Sequence, residues 1–262
     1  MRAVRLPALP LFALLAPACR GPDPAPERIE ELLGWMFQHA DDEDTEGLVD
    51  GVDKAQTWLA THFDQTLEGY VINPLTEEQL TAVGAGGRDR SEIRGVALGY
   101  PFTADADAVA AQLMRQRDEA DLDTGDRELV TLVEGDPTCF SNGTCGWVVY
   151  DVDQVTELGF GIELETWNRY QYRRLDTPAG EALLLRAWSL QTPEITTDLF
   201  SLLQTYQMWM LLPYEQGYRS VEGEWVDARV GDDGLDMDFV MNLWINGLRD
   251  TDERLNEAAS SH

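Results

Sequence analysis

Apolar positions keep a helical period in the first third of the chain and change to alternation further on. In "ERIEELLGWMFQ", residues 27–38, Ile29, Leu32, Leu33, Met36 and Phe37 fall on one face. Acids occupy the first turn, where the helix dipole favours them. Residues 46–64 repeat the period with Leu48, Val52, Ala55, Leu59 and Phe63, and Gly69 comes next as a stop. Thr76 and Gln79 in "LTEEQL" have the spacing of a capping box and open a third, short helix. "GAGG" at 84–87 reads as a linker. The pattern predicts a helical segment over residues 27–87 that packs on the remainder of the chain.

From Ile93 the texture changes. "IRGVALGY" reads as a strand, and "TADADAVAAQLMRQRDEA" as a capped helix starting near residue 105. "ELVTLV" leaves a strand and a helical turn both open. Alternation then dominates in "WVVYDV" (147–152), "FGIELETWNRYQYRRL" (160–175) and "EALLLRAWSL" (181–190). "FSLLQTYQMWMLL" and "YRSVEGEWVDARV" flank "PYEQG", which has hairpin-turn chemistry. The last segment, "LDMDFVMNLWINGLRDTDERLNEA", predicts a long helix capped at Asp236 or Asp238. Val240, Leu243, Trp244, Leu248 and Leu255 form its apolar stripe, and Asp250, Asp252, Glu253 and Arg254 are charged.

These elements predict an α+β class, with helices on one face of an antiparallel sheet. The order of strand, helix, about five antiparallel strands and a long terminal helix resembles the START-like helix-grip fold. The resemblance spans residues 93–257 and rests on element order, with no residue motif. It implies a curved antiparallel sheet packed against the C-terminal helix, after the N-terminal helical segment. It also implies a cavity between sheet and helix that takes an apolar ligand.

The first residues carry a different signal. Arg2 and Arg5 precede the apolar stretch Leu6–Leu15, which is shorter than the roughly 20 residues a membrane span requires. Small residues, "APA" at 16–18, then lead to Cys19. This is the layout of a secretory signal over residues 1–18. With Cys19 it resembles a bacterial lipoprotein signal, although Ala16 stands where that family usually has a large aliphatic residue. The resemblance implies cleavage before Cys19 and a lipid on Cys19. Ordinary secretion, with cleavage at the same bond and a free Cys19 thiol, is the other reading. Residues 19–26, "CRGPDPAP", would form a stiff, extended tether. The expected location is the bacterial cell envelope, anchored to a membrane and facing the periplasm or the cell surface.

Export agrees with cysteine usage. Besides Cys19 the chain has Cys139 and Cys145 in "CFSNGTC", predicted to form a structural disulfide around a turn. The C-x5-C spacing differs from the redox-active C-x-x-C.

Of 262 residues, 48 are acidic and 19 basic, for a net charge of −29. Such a surface repels nucleic acid and anionic headgroups and favours a monomer. It also leaves open a cationic protein partner. Catalytic and metal motifs are missing from the sequence: no G-x-S-x-G, no H-E-x-x-H and no phosphate loop accompany His39, His62 and His262. Asp232, Asp233, Asp236 and Asp238 do not match a calcium loop and read as helix-start acids. Glu163 and Glu165 read as solvated strand positions. No cofactor or metal is implied.

The remaining feature is a set of large side chains on successive strands and the last helix: Tyr172, Trp188, Tyr206, Met208, Trp209, Trp225 and Trp244. They form either an aromatic core or the lining of an apolar pocket closed by the helix. The expected function is therefore non-catalytic binding, of a small hydrophobic ligand, by an anchored acidic lipoprotein. A structural or protein-interaction role and a hydrolase without a recognisable motif are the alternatives.

Overall fold

The computed structural model describes residues 24–118, 127–157, 162–197, 200–215, 217–230 and 237–261. The leader, Cys19, and Asp232, Asp233 and Asp236 lie outside these residues.

Three helices come first: α1 (Ile29–His39), α2 (Glu46–Thr66) and α3 (Glu77–Ala82). The short strand β1 (Tyr70–Ile72) lies between α2 and α3. Thr76 and Gln79 form the expected reciprocal cap at the start of α3. The chain continues through β2 (Ile93–Phe102), α4 (Ala106–Asp118), β3 (Arg127–Gly135) and the one-turn helix α5 (Pro137–Ser141). The strands β4 (Trp147–Glu157), β5 (Glu163–Thr177), β6 (Gly180–Ser189), β7 (Glu194–Ile195), β8 (Phe200–Tyr214) and β9 (Gly217–Val230) precede α6 (Met237–Ser260). The ambiguous "ELVTLV" belongs to β3, whose partner β4 supplies the ladder that its own sequence could not reveal.

Among the described residues the strands form one antiparallel sheet in the order β1-β2-β9-β8-β6-β5-β4-β3, with β7 added beside β5. Successive strands therefore mostly pair with neighbours in sequence, as hairpin connections require. The β8–β9 hairpin pairs Tyr214 with Gly217 across the predicted turn.

Helices cover both faces, which corrects the expectation of one. Along β8, Tyr206, Met208, Met210 and Leu212 join a core with α1, α2 and α3. Trp209 and Leu211 join a second core with α4, α5 and α6. Both sets are apolar, so each face must be removed from water. The C-terminal helix takes the second face with Leu255 and Ala259, beside Val109, Ala110 and Met114 of α4. Asn256 Oδ1 accepts the Thr103 backbone N–H at 2.9 Å and pins α6 to the end of β2. The arrangement of sheet and terminal helix is helix-grip-like.

The N-terminal helices share a continuous core with the sheet. A Cβ at Gly99 would lie 2.1 Å from the Thr66 hydroxyl, so glycine lets β2 approach α2 closely. Arg186, buried in this layer, donates to the Phe37 carbonyl at 3.0 Å and pairs with Asp41 at 2.9 Å. Those contacts tie the end of α1 to β6 and satisfy a buried charge.

Cys139 and Cys145 are joined as a disulfide, with Cα atoms 5.2 Å apart. Asp136 caps α5 by accepting the Thr138 and Cys139 N–H groups. Arg174 fastens this corner to β5, donating to Phe140 O at 2.8 Å and pairing with Asp107 and Glu181.

Candidate functional site

A cavity of about 380 Å³ lies between the sheet and α6. Strand register explains its walls. Glu222, Trp209, Leu185, Tyr172 and Val148 stand in one row from β9 to β4. Glu224, Gln207, Ala187, Tyr170 and Tyr150 stand in the next. Successive side chains alternate between faces, so both rows point to the same side. The rows are graded: carboxyls at the β9 end, aromatic and aliphatic groups towards β6 and β5. From α6, Trp244, Leu248, Asp252 and Leu255 close the opposite wall, and Leu113 and Gln116 of α4 add to it.

The acidic end is unusual for a buried site. Glu222, Glu224 and Asp252 are 2%, 4% and 4% exposed. Neutral donors hold them. Gln207 Nε2 donates to Glu222, and Trp244 Nε1 donates to Glu224 Oε1 at 3.2 Å. Asp252 accepts from the Trp209 Nε1 at 3.1 Å and from the Ser220 hydroxyl at 2.6 Å. Among the described residues Glu224 Oε2 is buried without a hydrogen-bond partner. Among the described residues lining the cavity there is no Lys, Arg or His.

Burial dominates the electrostatics. It pushes the Glu222 carboxyl up to about 8, helped by the nearby Asp252 charge and opposed by the Gln207 hydrogen bond. Glu224 is held well above the usual carboxylate range by burial and by Glu222, with Trp244 opposing. Asp252 rises to about 6 by burial, against the hydrogen bonds from Ser220 and Trp209.

The sequence-derived aromatic set divides between the two faces. Tyr172, Trp209 and Trp244 line the cavity; Trp188 borders it, but it stands opposite Tyr206 in the register, lies under Arg186 and packs in the core on the other face. Tyr206, Met208 and Trp225 do not line it; they are buried on that other face, where Phe37 of α1 meets the rings of Tyr206 and Trp225. Period-2 alternation in β8 and β9 separates them. Trp244 is half-buried, packs beside Leu202 of β8 and Val226 and Ala228 of β9, and bonds to Glu224 of β9.

Asp252 corrects the reading of α6, for it is turned inward and not to solvent. Its signal was helical spacing: with Leu248, Leu255 and Ala259 it lies on the i, i+4, i+7, i+11 face. Glu222 and Glu224 share the alternating face of Val226 and Ala228 in β9, but only the sheet shows that this face is covered. His39 and His62 lie in the opposite helical layer, stacked on Trp35 and Trp58. Among the described residues no three His, Cys, Asp or Glu side chains are grouped to hold a metal ion.

No family model and no curated protein matches the chain. Solved structures of similar chain path include TTHA0849 from Thermus thermophilus, at 14% identity and a TM-score of 0.41, covering 64% of this chain and 97% of that one. The lipid transfer and protein localization domain of human StarD13 (DLC2) is similar at 14% identity and a TM-score of 0.31, covering 64% and 73%. Human STARD10 is similar at 10% identity and a TM-score of 0.32, covering 80% of each chain.

Proposed function

We propose that this chain is an exported, membrane-anchored binding protein that takes a small hydrophobic ligand into the cavity between the sheet and α6, without catalysing a reaction on it. The cavity carries the reading. Its volume of about 380 Å³ falls in the range of small-molecule sites, roughly 300–1,000 Å³. Its walls combine the apolar side chains of Tyr170, Tyr172, Leu185, Trp209 and Leu255 with a comparable share of polar ones, among them Asn168, Thr205 and Gln207.

The anchor rests on the signal and Cys19. The folded body begins near Ala25, which is buried and whose carbonyl accepts from Lys54 Nζ at 2.5 Å. An extended proline-rich segment rises about 3.1 Å per residue, so Cys19 to Ala25 would span roughly 20 Å. The domain would then work close to the membrane surface.

The test is binding of an uncharged, polarity-sensitive dye, N-phenyl-1-naphthylamine, by wild type and by Ala187→Trp. Ala187 lines the cavity, so the larger ring should fill it. Dye fluorescence should rise with wild type and not with a folded Ala187→Trp. Equal dye binding by both would overturn the reading.

A further inference from the structure

Resting on the binding reading above, we infer that the ligand of this cavity is a cationic amphiphile: an apolar body carrying one positively charged nitrogen, its charge seated at Glu224 and Glu222. Four observations carry this. Three of the four lining carboxyls, Glu222, Glu224 and Asp252, gather at the β9–α6 end, while Ala187, Leu185, Tyr170 and Tyr172 of β6 and β5 give the wall beside them an apolar surface. Glu224 is almost fully buried, yet its Oε2 has no partner among the described residues. A buried oxygen of this kind is costly unless a donor or a positive charge meets it. Trp209, Trp244 and Tyr170 line the same space, and aromatic rings attract organic cations.

The fourth observation is a contrast. Where this protein buries a positive charge for structure, it supplies partners from its own chain. Arg186 has Asp41, Gln171 and the Phe37 carbonyl, and Arg174 has Asp107, Glu181 and two carbonyls. At the cavity the negative partners are present and no described lining residue supplies the positive one. A metal ion fits less well, because Trp209 and Trp244 direct N–H groups at the carboxylates. An anionic ligand would face three acids.

The same groups set the proton balance. Glu222 faces Glu224 on its own strand, Asp252 from α6, Gln207 and Trp209 from β8, and Tyr170 and Tyr172 from β5. Glu128 of β3 lies on the same wall. Before a ligand binds, the raised carboxyls hold their protons near neutrality. A cation that enters favours the ionised form, and the displaced proton leaves to solvent. Affinity for the cation should therefore rise with pH up to about 8.

The experiment compares three probes of equal chain length: octyltrimethylammonium, octanol and octanoate. Binding to the purified protein is measured by calorimetry and Trp fluorescence in 0.3 M salt, about the level that limits charge effects to under 10 Å. The ammonium should bind at least about tenfold tighter than octanol, with octanoate weakest, a gap of about one pair of favourable charge contacts. Glu224→Gln should remove most of that gap and leave octanol binding in place. Glu222→Gln is the second variant, with circular dichroism checking that each is folded. Equal binding of ammonium and octanol overturns the cation inference and leaves the hydrophobic-ligand reading standing. A preference that survives both variants assigns it to the general surface charge and also overturns the inference. Failure of all three probes to bind removes both readings.

Discussion

Replacing Glu222 by Gln should make the protein more stable in alkali and leave it nearly unchanged in acid. The side chain is 2% exposed and its carboxyl is pushed up to about 8 from 4.5, chiefly by burial. A group raised on folding contributes its full stability below the unfolded value. That contribution is lost as pH rises through the folded value. Between about 4.5 and 8 the folded state therefore holds a proton the unfolded chain has released. Stability falls by up to about 1.4 kcal/mol per pH unit for that proton. Over the whole window the loss is roughly 3–5 kcal/mol. The amide keeps the acceptor oxygen that Gln207 uses and has nothing to titrate. Urea unfolding at pH 5, 6, 7, 8 and 9, followed by Trp fluorescence, measures the slope. Glu222→Gln should flatten it and exceed wild type by a few kcal/mol at pH 8.5, worth roughly 2–4 °C per kcal/mol in a chain of this size. Below about pH 4 the sign reverses at Asp89, whose carboxyl is lowered by hydrogen bonds from the Ser91 backbone and hydroxyl. Parallel curves for the two proteins between pH 5 and 9 would refute the claim that Glu222 is buried in protonated form.

Three other outcomes are expected. Cys19→Ser should move the protein from the membrane to the soluble exported fraction; a wild type that is already soluble and carries no acyl mass would exclude the anchor. Peptide mapping should find Cys139 joined to Cys145, and reduction should cost about 2 kcal/mol without unfolding the domain, as a small closed loop requires. Trp225→Ala, which empties a fully buried site against Phe37, should cost roughly 3–5 kcal/mol. Trp244→Ala should cost clearly less because its ring is half-buried, and the reverse order in urea midpoints would contradict the packing of α6.

The elements were legible because their signals are local. The stripe of Ile29, Leu32, Leu33, Met36 and Phe37 was enough to place α1, and its period is set by residues three and four apart. The cap at Thr76 and Gln79 and the turn between β8 and β9 involve groups within a few residues of each other. Cys139 and Cys145 could be paired for the same reason. The site was not legible, because its members are brought together by pairing across long stretches of chain. Alternation in β8 separates Trp209 from Tyr206 and Met208, but it cannot say which helix layer each set will meet. Nor can it show that the face bearing Glu222 and Glu224 is closed over by α6. Asp252 lies on the right helical stripe, yet its burial depends on Ser220 and Trp209, 32 and 43 residues earlier in the chain. Periodicity determines which residues share a face; only tertiary packing decides which faces lose water, and that loss turned three ordinary acids into the chemistry of the cavity.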